Sequence, residues 1–117
     1  MATLHAKAVF CGELSEGVVG IIAAEEESGD GARVELMRAT GFEEQDRALG
    51  QDTYCLSLHT GASVYGGVAR WLLAPGQLKL ELSEEAADAL DLDDQLTIEF
   101  DAERGTDLSV WLPKVLG

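Results

Sequence analysis

Short alternating apolar runs recur along this chain, and they constrain its fold more than any other feature. Val34 and Leu36 are one such run. Tyr54, Leu56 and Leu58 are a second, Leu78, Leu80 and Leu82 a third, and Leu96, Ile98 and Phe100 a fourth. A period of two marks a half-buried strand, because successive side chains on a strand point to opposite faces. Leu4, Ala6, Ala8 and Phe10 alternate in the same way, so residues 3–10 are expected to form a strand with those four on one side. Val18–Ala24, VVGIIAA, is apolar almost throughout. It is too short for a typical helix and rich in β-branched residues, so it is expected to be a buried strand.

Turn residues separate these runs. Glu13–Gly17 reads as a loop. Ser28-Gly29-Asp30-Gly31 supplies a turn that would fold Val18–Ala24 onto Arg33–Arg38 as a hairpin. Gly41–Asp52 breaks the pattern and is expected to be an acidic loop with at most one helical turn. Thr60-Gly61-Ala62 returns the chain into Ser63–Val68, where Gly66-Gly67 should bend or bulge the strand. Arg70–Leu73 is expected to be a further strand, ended by Pro75-Gly76.

Two helical segments close the chain. Ser83 is placed to cap a short helix, with Glu84 and Glu85 in its first turn and Ala86, Ala87 and Leu90 on its apolar side. Asp91–Asp94 then forms an acidic turn. Thr106 is expected to cap a C-terminal helix presenting Leu108, Trp111, Leu112 and Val115, which Pro113 should kink or shorten. The sum is an α+β fold in one domain spanning 1–117. Its mostly antiparallel curved sheet, or two packed sheets, carries one or two short helices near the C-terminus that cover an open side.

Charge narrows the function. Twenty-two acids against eight bases give a net charge of −14. Such a surface repels nucleic acid, whose phosphates demand Lys and Arg, and it repels anionic membranes. It favours encounter with a basic protein, although acids also keep a small domain soluble. The distribution is uneven: residues 81–101 hold nine acids and no base, whereas residues 53–80 hold no acid. Cys11 and Cys55 make no disulfide framework and lack the companions of a zinc site. Met1–Gly12 lacks the apolar core of a signal peptide, and no run has the roughly 20 apolar residues of a membrane span. The expectation is a cytoplasmic protein with reduced thiols.

Catalytic patterns are weak. Most carboxylates fall in loops or on solvent faces, so they do not mark an acid pair in a cleft. Asp91-Leu92-Asp93-Asp94 begins like a calcium loop, but Leu96 stands where the central Gly should be and Ala102 where the closing Glu should be. His5 and His59 are spaced neither as metal ligands nor as a base beside a nucleophile, and they read as edge residues. Cys55 lies near Ser57 on the polar side of its strand and reads as an unreactive thiol. No cofactor is expected. Tyr65 either packs on the sheet beside its two glycines or anchors an interface, while Trp71 and Trp111 read as core.

One block carries a resemblance. Within Phe42–Val68, the segments Gln45-Asp46, Leu49-Gly50, Asp52-Thr53-Tyr54-Cys55 and Tyr65-Gly66-Gly67-Val68 resemble the immunity protein 10 family of bacterial polymorphic toxin systems. Leu78–Leu82, Ser83-Glu84-Glu85-Ala86-Ala87 and the Asp-rich turn into Leu96–Phe100 resemble that family's second half. The resemblance implies a small α+β antidote, made beside a toxin gene, that binds a cognate protein toxin and performs no catalysis. Many toxins of such systems are nucleases. An acidic face docking on a basic toxin surface is then expected. The candidate partner-binding residues are Glu43, Glu44, Asp46 and Asp52 in the loop, Tyr65, and Asp91, Asp93 and Asp94 in the turn. The alternative is a small-ligand-binding domain with a pocket between sheet and helices.

Overall fold

In a computed structural model of the chain, residues 2–28, 31–41, 48 and 53–116 are described. Among them are nine strands: β1 Ala2–His5, β2 Ala8–Ser15, β3 Val18–Ala24, β4 Arg33–Ala39, β5 Cys55–Leu58, β6 Ser63–Tyr65, β7 Val68–Ala74, β8 Gln77–Leu82 and β9 Gln95–Glu99. Two helices, α1 Glu84–Leu90 and α2 Gly105–Leu116, accompany a 3-10 turn at Ala102–Arg104. The class is α+β, as the sequence predicts, and of the two arrangements foreseen the chain adopts two sheets.

The larger sheet is an antiparallel meander in the order β2-β3-β4-β5-β6. The smaller has the order β1-β9-β8-β7 and is antiparallel except where β1 runs parallel to β9. One hydrophobic core lies between them. Leu36 and Leu56 reach it from the larger sheet, Leu78, Leu80, Leu96 and Ile98 from the smaller. α2 packs against β2, β3, β4 and β7 and fills the open side between the sheets with Leu108, Leu112 and Val115. Burying three such side chains contributes on the order of 5 kcal/mol before entropy.

The chain changes sheet at two points. At the first, the Ala6 amide donates to the Glu99 carbonyl at 2.7 Å, and the next amide, Lys7, donates to Ala24 at 2.9 Å. Two successive amides thus serve different sheets. This corrects the single strand expected over residues 3–10. Alternation resets at the break: Leu4 and Ala6 face the core, then Val9 and Cys11 do, and Phe10 points outward. β2 also runs on to Ser15, with a bulge between Glu13 and Ser15, where a loop was expected. The turn reduces to Glu16-Gly17.

The second change of sheet is Gly66-Gly67, at φ 72° and 95°. Only glycine enters this left-handed region at low cost. The buried Tyr54 spans the junction. Its carbonyl accepts from the Gly66 amide at 2.8 Å, and its hydroxyl accepts from the Val68 amide at 2.8 Å. Ser83 caps α1 as expected, accepting from the Ala86 amide at 3.2 Å, and Ala86, Ala87 and Leu90 are buried.

The C-terminal helix departs from expectation in two ways. Thr106 lies inside the helix. The cap in this region belongs to Asp101, whose carboxylate accepts from the Glu103 amide at 3.4 Å at the head of the 3-10 turn. Pro113 does not end the helix, which continues to Leu116. Proline so near the end costs little beyond the bond to the Ser109 carbonyl. Full burial of Val115 and a hydrogen bond from Arg38 Nη1 to the Val115 carbonyl, at 3.3 Å, hold the last turn.

Candidate partner-binding surface

The expected partner-binding residues fall into three groups. Glu43, Glu44, Asp46 and Asp52 lie outside the described residues. Tyr65 sits at the end of β6, an edge strand of the larger sheet, with 48% of its surface exposed. Asp91, Asp93 and Asp94 are exposed in the turn between α1 and β9. The last group extends a larger acidic segment, since Glu84, Glu85 and Asp88 on α1 are exposed too. Tyr65 and this segment sit on different parts of the molecule: the outer face of the larger sheet and the end of the smaller one, where the Leu82 amide donates to the Asp94 carbonyl.

Asp91 is placed against its own helix. It is the C-terminal cap of α1, at φ 56° and ψ 46°, and no base occupies the last turn. A carboxylate there meets the negative end of the helix dipole, and the left-handed conformation favours Gly or Asn. Both choices lower stability.

The two outer faces differ in character. On the smaller sheet the register places Arg70 opposite Glu81 and His5 opposite Glu99. Arg70 Nε lies 2.7 Å from Glu81 Oε2, and His5 Nδ1 lies 3.2 Å from Glu99 Oε2. Thr3, Thr97 and Lys79 share this face, so it is largely polar, with Leu72 its exposed apolar residue. On the larger sheet one outward row reads Phe10, Ile22, Glu35, Ser57, Ser63, and the next reads Gly12, Gly20, Met37, Cys55, Tyr65. Phe10 is 52% exposed. Sequence reading missed Phe10, Ile22 and Met37 because each strand contributes one of them and no local periodicity links them.

The remaining candidates have structural partners. His59 Nδ1 accepts from the Arg33 amide at 3.2 Å. Cys55 Sγ lies 3.4 Å from Ser57 Oγ, as their shared face predicts. Burial, and then the nearby Asp107 carboxylate, push the Cys11 thiol from 9.0 up to about 11. Trp71 and Trp111 pack at the margin of the core, and Lys114 Nζ sits 4.6 Å over the Trp111 ring.

The clefts give little support to a ligand site. A groove of about 340 Å³ runs between the β7–β8 turn and the start of α2, lined by Leu73, Pro75, Ala102 and Thr106 among others. It is shallow, and the Ser109 hydroxyl on its wall is already bound to the Thr106 carbonyl at 2.7 Å. An apolar cleft of about 140 Å³ lies between the sheets beside Leu4, Val34 and Leu96. Ligand pockets usually hold about 300–1,000 Å³ with convergent polar groups. Among the described residues no cluster of three metal-ligating side chains occurs, and no helix is long and apolar enough to cross a membrane.

A family model described as Immunity protein 10 matches residues 5–107, from the end of β1 to the first turn of α2. The chain belongs to the immunity protein 10 family. No curated protein and no solved structure matches it. The match includes both changes of sheet and the capped helix α1. It stops before Leu108, Leu112 and Val115, the side chains with which α2 completes the core of this immunity protein.

Proposed function

We propose that this chain binds and neutralises a cognate protein toxin, and that its acidic segments meet a basic surface on that toxin. Membership of the immunity protein 10 family carries the reading. The net charge of −14 supports the electrostatic part, and so does Asp91, an acid kept where it weakens its own helix. Groups that lower stability without local compensation are expected where function retains them. Glu43, Glu44, Asp46 and Asp52 would lie at or around the contact with Tyr65 as an aromatic anchor, and Asp91, Asp93 and Asp94, on a different part of the molecule, would add to the field that steers the toxin in. A nuclease toxin fits this chemistry well, because its substrate-binding surface is basic. The antidote would act by occupying that surface and excluding substrate, with no catalytic step of its own.

The test is a titration of the chain with the toxin domain encoded beside its gene, followed by toxin activity, at low and high salt. The reading expects a tight 1:1 complex, loss of toxin activity and an association rate that falls steeply with salt. Reversing Asp91, Asp93 and Asp94 to Lys should slow association. Affinity that ignores both salt and charge reversal would remove the electrostatic mechanism. Failure to bind would remove the immunity reading itself.

A further inference from the structure

We infer that the toxin docks on the outer face of the five-stranded sheet, with Phe10 and Tyr65 as its apolar anchors and the acidic turns at the ends of that sheet as its rim. The inference rests on the proposed function and names the surface that would perform it.

Towards β2 and β3 the outer face is apolar where a solvated sheet face is normally polar, while Glu35, Ser57 and Ser63 lie towards β4, β5 and β6. Phe10, Leu14, Ile22 and Met37 lie on it, and none of them touches the core. Gly12 and Gly20 face each other on neighbouring strands and leave a trough without side chains. The Phe10 ring leans over it, 3.7 Å from where a Cβ on Gly12 would stand. Leu14 bends over Gly20, its Cδ1 2.6 Å from the corresponding point. Tyr65 stands on the opposite edge strand in the Gly12 row. Neither α1 nor α2 covers this face: α1 packs on β6, and the buried residues of α2 belong to the core on the inner side.

The surroundings name the occupant's chemistry. Glu13 and Glu16 are exposed at the β2–β3 end of the sheet, and Glu25, Glu26 and Glu27 at the β3–β4 end. Glu35 lies mid-face, with Arg33 Nε 3.4 Å from its Oε1. An apolar centre with a charged rim is the anatomy of a protein–protein interface. Here the rim is acidic at both ends, which fits a basic partner. It disfavours a second copy of this chain, whose acids would face these across a two-fold axis.

Size sets a further requirement. Five strands at ~4.8 Å spacing and seven residues at ~3.4 Å rise give a face of about 19 by 24 Å. That is about 450 Å², roughly half of the ~800 Å² each partner gives to a standard interface. The acidic turns must therefore share the contact, so apolar and charged residues act together.

The test compares three proteins against the toxin domain encoded beside the gene: the wild-type chain, the double variant Phe10→Ala with Tyr65→Ala, and Leu72→Ala. Leu72 is as exposed as the two anchors, at 49%, but lies on the smaller sheet's outer face. Thermal melts establish that each variant is folded. The expected result is a loss of affinity of at least tenfold for the double variant, mostly in dissociation rate, and none for Leu72→Ala. Wild-type binding matched by the double variant overturns the docking face and leaves the immunity reading standing. No binding by wild type overturns both. Sedimentation showing a dimer that the double variant dissociates would assign the face to self-association and also overturn the inference.

Discussion

A Cβ added to Gly67 would stand 2.5 Å from the Cβ of Ala86. Helix α1 therefore rests on the glycine at which the chain passes from one sheet to the other, and the Ser83 amide at the helix cap donates to the Gly67 carbonyl at 2.8 Å. Gly67→Ala meets both a steric clash and a φ of 95° that L-residues rarely adopt. It should destabilise the protein by about 3 kcal/mol. A urea titration measures this, and a change below about 1 kcal/mol would show that the helix yields instead.

Tyr54→Phe tests the same junction from the other side. The variant keeps the ring in the core but leaves the Val68 amide without the hydroxyl that accepts its proton. The expected cost is about 1–2 kcal/mol, with faster amide exchange confined to the Gly66–Val68 crossover.

Asp91→Gly should move stability and function in opposite directions. Relief of the left-handed conformation and of the unfavourable helix-end charge should stabilise by about 0.5–1 kcal/mol. Association with the toxin should slow, most clearly at low salt. Stopped-flow kinetics beside a thermal melt decides, and a stabilised variant with an unchanged association rate would make Asp91 a structural residue only.

Much of this architecture was legible, and the exceptions have physical causes. The runs Leu78–Leu82 and Leu96–Phe100 announced their strands because each keeps one face in the core along its whole length. Ser83 announced α1 because a cap is a local hydrogen bond. Phe10 was misread because alternation is continuous in sequence even where the backbone moves to another sheet between Ala6 and Lys7. The pairing of β1 with β9 was unreadable, since a parallel pair between chain ends has no turn to signal it. Of the candidate surface, the Asp91–Asp94 turn was visible in composition. The Phe10–Tyr65 face was not, because five strands must first come into register.

The Cys11 thiol provides a pH test. Its folded-state value, about 11, is above the ordinary 9.0, so folding favours the protonated form. That contribution is fully present below pH 9 and is lost as pH rises through the interval to 11. Wild-type stability should therefore fall more steeply than that of Cys11→Ala between those limits. At pH 8 the thiol should react with iodoacetamide far more slowly in the native chain than in urea.

The parallel pairing of Ala2–His5 with Leu96–Glu99 also bears on how the molecule assembles. Strands β2 to β6 each pair with a sequence neighbour, so the pairings of the five-stranded sheet are all between consecutive strands. β1 must wait for the partner made almost last, and it joins through the longest loop closure in the fold. Among the described strands, the earliest in sequence is thus the last to be placed. Contacts made so late contribute little to the folding barrier but resist unfolding. Leu4→Ala should accelerate unfolding severalfold and leave the refolding rate nearly unchanged, so the lifetime of the native state depends on β1.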